Sequence, residues 1–164
     1  MADDRPVIVA ATPEDVPAIL RLIQALAEYE KLSHEVVATE QSLRQHLFGP
    51  KPAAEAVLAK LDGQSIGFAL YFQTFSTFRG RPGLWLEDLF VLPELRRKGI
   101  GKMLLRHVAS IAHQRDCGRL EWAVLDWNEL AVEFYRKIGA AAMTDWTIQR
   151  FVGEEIKKLI ETLG

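Results

Sequence analysis

Residues 84–102, LWLEDLFVLPELRRKGIGK, constrain the fold more than any other stretch of the chain. Leu84, Trp85, Leu86, Leu89, Phe90, Val91 and Leu92 form a nearly continuous apolar run, the pattern of a central strand buried on both faces. Glu87 and Asp88 interrupt that run, and charges inside a central strand are costly unless they serve a purpose. The loop Arg96-Arg97-Lys98-Gly99-Ile100-Gly101 then leads into an amphipathic helix predicted over 102–114. A helix N-terminus with glycines at its mouth exposes unpaired backbone N–H groups, a setting that favours phosphate. Two phosphate loops fail here. A P-loop needs glycine where Arg96 stands and Ser or Thr in place of Met103, and a dinucleotide fingerprint needs a glycine where Leu104 stands. What remains is Arg-x-x-Gly-x-Gly after a mid-chain strand, or an ordinary basic turn capping a helix.

Composition bounds the alternatives. A chain of 164 residues with 49% hydrophobic and 26% charged content is expected to form one domain over 1–164. A net charge of −2 gives no general attraction to nucleic acid or acidic membranes, and Arg96-Arg97-Lys98 is too short for a nucleic-acid patch. The single cysteine, Cys117, excludes an internal disulfide, fits a reducing compartment and has no pattern of a catalytic thiol around it. His34, His46, His107 and His113 have no ligand-pair spacing, so no metal is expected. The N-terminus, Met-Ala-Asp-Asp-Arg, has acids and no long apolar run, so neither a secretory signal nor a membrane anchor is expected and the expected location is cytoplasmic.

Along the chain, Pro6–Ala10 reads as a strand, and Thr12-Pro13-Glu14-Asp15 as a capped helix start. Val16, Ile19, Leu20, Ile23, Leu26 and Ala27 give that helix an apolar face, and Thr39–Leu47 reads as a second, shorter helix. Ala54–Leu61 and Ser65–Gln73 are predicted strands joined at the hairpin pair Asp62-Gly63, followed by a mobile loop over Thr74–Gly83. A strand over Arg119–Leu125, a helix over Asn128–Ile138 ended by Gly139, a strand over Thr147–Phe151 and a helix over Glu154–Leu163 complete the reading. Hairpin strands first and strand–helix units later imply an α/β (α+β) fold, a mixed central sheet with helices on both faces.

The loop motif resembles the acetyl-coenzyme-A pyrophosphate loop of the GNAT superfamily of N-acetyltransferases, and the resemblance extends over roughly 6–151. Arg21-Leu22-Ile23, Leu26-Ala27, Tyr29-Glu30, Leu86-Glu87-Asp88, Phe90-Val91, Trp127-Asn128-Glu129, Phe134-Tyr135 and Gly139-Ala140 fall in the order found in its diamine branch. That branch holds spermidine/spermine, thialysine and ornithine-type N-acetyltransferases. The run Glu121–Asn128 is similar to the thialysine and ornithine members in particular, as is Ser76-Thr77, where polyamine enzymes carry an acidic residue.

The chemistry sets its own demands. Acetyl transfer from a thioester needs a neutral amine, yet an alkylammonium titrates near ~10, so a group must accept a proton and another must neutralise the departing thiolate. Glu87 is the better candidate base, directly or through water. Neighbouring strand residues point to opposite faces, so only one of Glu87 and Asp88 faces the reaction unless a bulge intervenes. The resemblance assigns Glu87 to the substrate amine and Tyr135 to the sulfur as general acid. It also implies a coenzyme site of Leu89, Phe90, Val91, Arg97, Lys98, Gly99, Ile100, Gly101, Lys102, Asn128 and Ala131, with Arg96 buttressing the loop. Tyr29, Glu30, Glu87, Glu121, Trp122 and Asp145 are the implied substrate residues. Ile138 stands where some relatives have a basic coenzyme contact. A homodimer is implied as well.

The expected activity is direct acetyl transfer from acetyl-coenzyme A to a small diamine or diamino acid, ornithine-, thialysine- or lysine-like ahead of polyamine. Two alternatives stand beside it: acetylation of a protein or peptide amine, and a coenzyme-A-binding regulatory module without turnover.

Overall fold

The computed structural model describes residues 5–164; the acids at positions 3 and 4 lie outside the described residues. The chain divides into two compact units, Met1–Ala123 and Val124–Gly164.

The first unit is a five-stranded sheet in sequence order, β1 (Val7–Ala10), β2 (Glu55–Leu61), β3 (Gln64–Ser76), β4 (Arg81–Val91) and β5 (Leu120–Trp122). The first four strands pair antiparallel and β4 with β5 parallel, so the sheet is mixed as expected. Helices α1 (Val16–Tyr29) and α2 (Glu40–Phe48) precede the central hairpin, and α3 (Ile100–Gln114) is the crossover between the parallel strands. Both faces of the sheet are covered. Ile19 and Leu22 of α1 and Leu47 of α2 pack with Ala56, Leu58, Phe68 and Phe90 on one face. The alternate residues Val57, Ala59 and Ala69 are buried too, and α3, with Leu104, Leu105 and Val108 buried, packs on β1 to β4.

Local sequence signals account for most boundaries. Thr12 opens a short 3-10 turn at Pro13–Asp15 that runs into α1, its N–H donating to Asp15 Oδ2 at 2.9 Å. Thr39 Oγ1 accepts the Ser42 N–H at 3.1 Å and starts α2. Asp62 and Gly63 both have positive φ, 50° and 77°, as a two-residue hairpin of type I′ requires.

Three boundaries differ from the sequence reading. The segment 74–83 is no mobile loop: the ladder continues through Thr74↔Gly83, Phe75↔Pro82 and Ser76↔Arg81, leaving only 77–80 as the turn. Polar content argued for a loop, but the pairing that runs through the core at Phe68↔Phe90 resumes after a one-residue register shift past Leu70 and continues outward. The strand expected over Arg119–Leu125 is only Leu120–Trp122. Thr147–Phe151 alternates like a strand but pairs with nothing among the described residues and forms none, since a strand needs a partner for its backbone groups.

The second unit holds α4 (Glu129–Lys137) and α5 (Glu154–Leu163). Gly139, at φ 91°, closes α4 in the left-handed conformation that its sequence position predicts. Among the described residues, no helix is long and apolar enough to cross a membrane.

Candidate active site

The two adjacent carboxylates of β4 meet a bulge. Register passes from Leu70↔Asp88 to Tyr71↔Leu86, so Glu87 is the extra residue. Leu70 packs against the α1–α2 cluster, which puts its partner Asp88 on that face. Leu86 goes with Tyr71 to the other face, where the Arg115 guanidinium lies 6.0 Å from the Tyr71 ring centroid. Trp85 pairs with Phe72, two residues beyond Leu70, and so returns to the Asp88 face. Its indole N–H donates to Glu87 Oε2 at 2.7 Å and holds that carboxylate alongside. The bulge therefore brings Glu87 and Asp88 to the same side, the exception that strand alternation allowed.

The environments of the two carboxylates differ. Glu87 is exposed. Asp88 is partly buried, and its pKa is pushed up to about 7 by desolvation first and then by the charges of Glu87 and Glu30. Glu30, just past the end of α1, is itself raised by burial. Glu121 lies opposite Trp85 across the β4–β5 pair and joins this acidic face, but its Oε2 is held by Arg119 Nε at 2.7 Å. Trp122 pairs with Leu86 and belongs to the other face, so these two predicted substrate residues point apart.

Tyr29 is tied to the loop. The Arg96 guanidinium sits 4.0 Å from the Tyr29 ring centroid and 5.4 Å from that of Phe90, while its Nε donates to the Val91 carbonyl at 3.0 Å. Arg96 thus braces the loop from behind, leaving Arg97 and Lys98 exposed in front. Arg97 and Gly99 both have positive φ, 64° and 81°, and curl the backbone into the start of α3. The first amide bonded into α3 is Met103 N–H, to the Gly99 carbonyl at 3.0 Å, so the amides of 97–102 precede the helical ladder. A Cβ built at Gly101 would meet no heavy atom within 4 Å. The loop is an open cradle of N–H groups at a helix N-terminus, which is what a pyrophosphate needs.

The adjoining edge of β4 is also available. Its pairing with β5 ends at Leu86↔Trp122, so over 87–91 β4 has a sheet partner on the β3 side only, among the described residues. Leu89, Phe90 and Val91 can offer main-chain groups there while Phe90 packs in the core.

In the second unit, Asn128 caps α4, its side-chain oxygen accepting the Ala131 N–H at 3.3 Å. Tyr135 is partly buried on α4 with its ring 5.3 Å from that of Phe134, and burial raises its phenol pKa. Asp145 is exposed. Among the described residues, no group of three or more His, Cys, Asp or Glu side chains is placed to hold a metal ion.

The sequence matches the Acetyltransferase (GNAT) family over residues 19–140. The chain belongs to the GNAT acetyltransferase family. It is 41% identical over 156 residues to the thialysine N-epsilon-acetyltransferase of Bos taurus, covering 88% of this chain and 91% of that one. It is 31% identical to the L-ornithine N5-acetyltransferase of Arabidopsis thaliana, covering 91% and 85% respectively. Among solved structures, an integron cassette protein from the mobile metagenome of V. cholerae superposes with a TM-score of 0.80 at 28% identity, over 95% of this chain and 98% of that one. The GNAT chain is thus an N-acetyltransferase on the expected mixed sheet.

The GNAT resemblance in the sequence pointed to the loop and to the LED carboxylates. It did not reveal the Trp85–Glu87 bond, the Arg96–Tyr29 stack or the different burial of Glu87 and Asp88. Only the bulge carried a hint, in two adjacent acids inside an apolar strand.

Proposed function

We propose that this GNAT enzyme transfers the acetyl group of acetyl-coenzyme A to a primary amine of a small diamine or diamino acid, ornithine-, thialysine- or lysine-like ahead of polyamine. The observation that carries this reading is the acidic face of Glu30, Glu87 and Asp88 beside a β4 edge unpaired from residue 87 onward. An ammonium is drawn to such a face, and the names of the thialysine and ornithine relatives support a small substrate with a second charged group. The residues fit the coenzyme. The amides of 97–102, with Lys98 and Lys102 beside them, take the pyrophosphate, and the Leu89–Val91 main chain takes the pantetheine as an added strand. Bound acetyl-coenzyme A supplies an activated thioester. Asn128 and Ala131 serve the pantetheine arm, and Tyr135, kept protonated by its burial, donates to the departing sulfur. Tyr29, Glu121, Trp122 and Asp145 complete the proposed substrate residues.

The family match spans both compact units, which supports one catalytic domain over 1–164. A homodimer is part of the proposal: Met143, Trp146, Ile148 and Phe151 are all exposed, and a second copy would cover them. So is a cytoplasmic location, on the reducing environment that a lone Cys117 suits.

The test is release of coenzyme-A thiol from acetyl-coenzyme A with ornithine, lysine, thialysine, putrescine, spermidine and a lysine peptide. Turnover is expected on the diamino acids, lower on spermidine. Turnover confined to the peptide would make the chain a protein acetyltransferase. Binding of acetyl-coenzyme A with no turnover would make it a regulatory module.

A further inference from the structure

We infer that Arg119 reads the α-carboxylate of the acceptor, so that the substrate is a diamino acid and not a plain diamine. The inference rests on the amine acetyltransferase reading above. Side chains two residues apart along a strand share a face, and so do partners across a ladder. On the face that carries Glu87 and Asp88, Trp85 therefore stands in one row with Phe72 and Glu121, and Gly83 in the next row with Thr74. Arg119 belongs to that second row: a Cβ built at Gly83 would stand 3.2 Å from Arg119 Cγ and 2.6 Å from Thr74 Oγ1. Its guanidinium turns back along the face, with Nε 2.7 Å from Glu121 Oε2. At roughly 3.3 Å per residue, the Glu121 row lies about 7 Å from the bulge and the Arg119 row about 7 Å further on. The charges thus come in a fixed order: carboxylates at the bulge, then Glu121, then Arg119.

Ornithine and lysine carry the complementary order. Their side-chain ammonium, placed at the bulge, leaves a short methylene chain to bring the α-ammonium to Glu121 and the α-carboxylate to Arg119. A guanidinium has five N–H donors, so an Nε engaged with Glu121 leaves the terminal groups to fork onto a second carboxylate. The pair is open to a ligand, with 41% of the Arg119 side chain and 34% of the Glu121 side chain exposed. Gly83 adds no side chain to fill the space above its row. The Thr74 hydroxyl in that row is buried with no hydrogen-bond partner among the described residues, so this corner is short of an acceptor. Arg79 and Arg81 flank the neighbouring Gly118, Arg81 lying 3.4 Å from Asp116, and the sheet runs from carboxylates at the bulge to arginines at the hairpin end. Putrescine would forfeit the attraction of Arg119. Spermidine, being longer, would bring an ammonium up against it, and a like charge at that distance selects against a polyamine.

The test is kcat/KM at saturating acetyl-coenzyme A for ornithine, its amide ornithinamide, its decarboxylated counterpart putrescine, and spermidine. The wild type should prefer ornithine to ornithinamide and to putrescine by about 10–100-fold, the worth of a hydrogen bond between charged groups. In Arg119→Gln the ornithine-to-ornithinamide preference should fall to within about threefold, since the charge that distinguishes them is no longer read. Putrescine and spermidine should hold or gain, because Glu121 is then released to an ammonium. Arg119→Lys should recover part of the preference, as a point charge without the fork. Unchanged acetyl-coenzyme-A affinity would show that the variants are folded, and the ornithinamide comparison in the wild type needs no variant at all. The inference is overturned if the wild type does not distinguish ornithine from ornithinamide. It is equally overturned if Arg119→Gln lowers all four acceptors alike, as loss of a purely structural Arg119–Glu121 pair would. Either result leaves the acetyltransferase reading standing, whereas absence of turnover on every amine would overturn that reading and this inference with it.

Discussion

Asp88 shows how a single partly buried carboxyl can carry its charge only at a cost to the fold. Its carboxyl titrates near 7 in the folded chain against about 3.9 when unfolded, so the native state binds the proton more tightly. Its contribution to stability is therefore fully present below about pH 4 and is lost as pH rises through 7. Asp88→Asn removes that loss: urea melts should find the variant gaining stability relative to wild type between pH 5 and pH 8. A constant difference across that range would mean Asp88 is an ordinary surface acid. The neighbouring carboxylates are spent otherwise, Glu87 on the Trp85 indole and Glu121 on Arg119. Three acids that look alike in the sequence are thus distinguished by what each one touches.

At the scale of elements, the site depends on how closely β3 and β4 approach. Gly67 lies opposite Val91, and a Cβ there would stand 2.7 Å from the Phe90 carbonyl oxygen and 3.2 Å from Val91 Cγ2. The obstacle is backbone, so it cannot swing aside. Gly67→Ala should cost about 1–3 kcal/mol, as overpacking does, and lower Tm by several degrees. By pushing β4 outward at Phe90 it should also raise the KM for acetyl-coenzyme A, while a distant stability mutation would not. Calorimetry and a coenzyme titration check the two halves. The same pairing explains why 74–83 is a hairpin although its residues suggest a loop. Past the Glu87 bulge the ladder resumes one residue out of register and aligns Thr74 with Gly83, and Gly83 leaves room for the Thr74 hydroxyl, which a Cβ would approach to 2.6 Å.

For the whole molecule, the uneven distribution of apolar surface is the telling property. The first unit fully encloses Phe68, Leu58 and Leu104, and its exposed Phe75 and Phe78 lie at the β3–β4 hairpin end. The second exposes Trp146 at 75%, Ile148 at 64% and Phe151 at 55%. Patches of that kind mark interfaces. Light scattering should return twice the chain mass at micromolar concentration, and Trp146→Glu with Ile148→Glu should return the chain mass. A wild-type monomer at every concentration would refute the homodimer.

Much of this protein is determined by the sequence alone, because the signals involved are local. The caps at Thr12 and Thr39, the Asp62-Gly63 turn, the left-handed Gly139 and the glycines opening α3 each follow from the conformations their own residues allow. The phosphate cradle is legible for the same reason: consecutive residues build it. Glu87, Asp88 and Tyr135 could be singled out as chemistry, but their surroundings could not. Whether Glu87 is the bulge residue depends on how β4 registers against β3, and the burial of Asp88 depends on where α1 ends and places Glu30. The missing strand at 147–151 depends on a partner, which no local pattern supplies. Pairing and burial are long-range properties, and it was the tertiary structure that left one of two adjacent acids exposed beside the Trp85 indole and the other partly buried with its pKa raised.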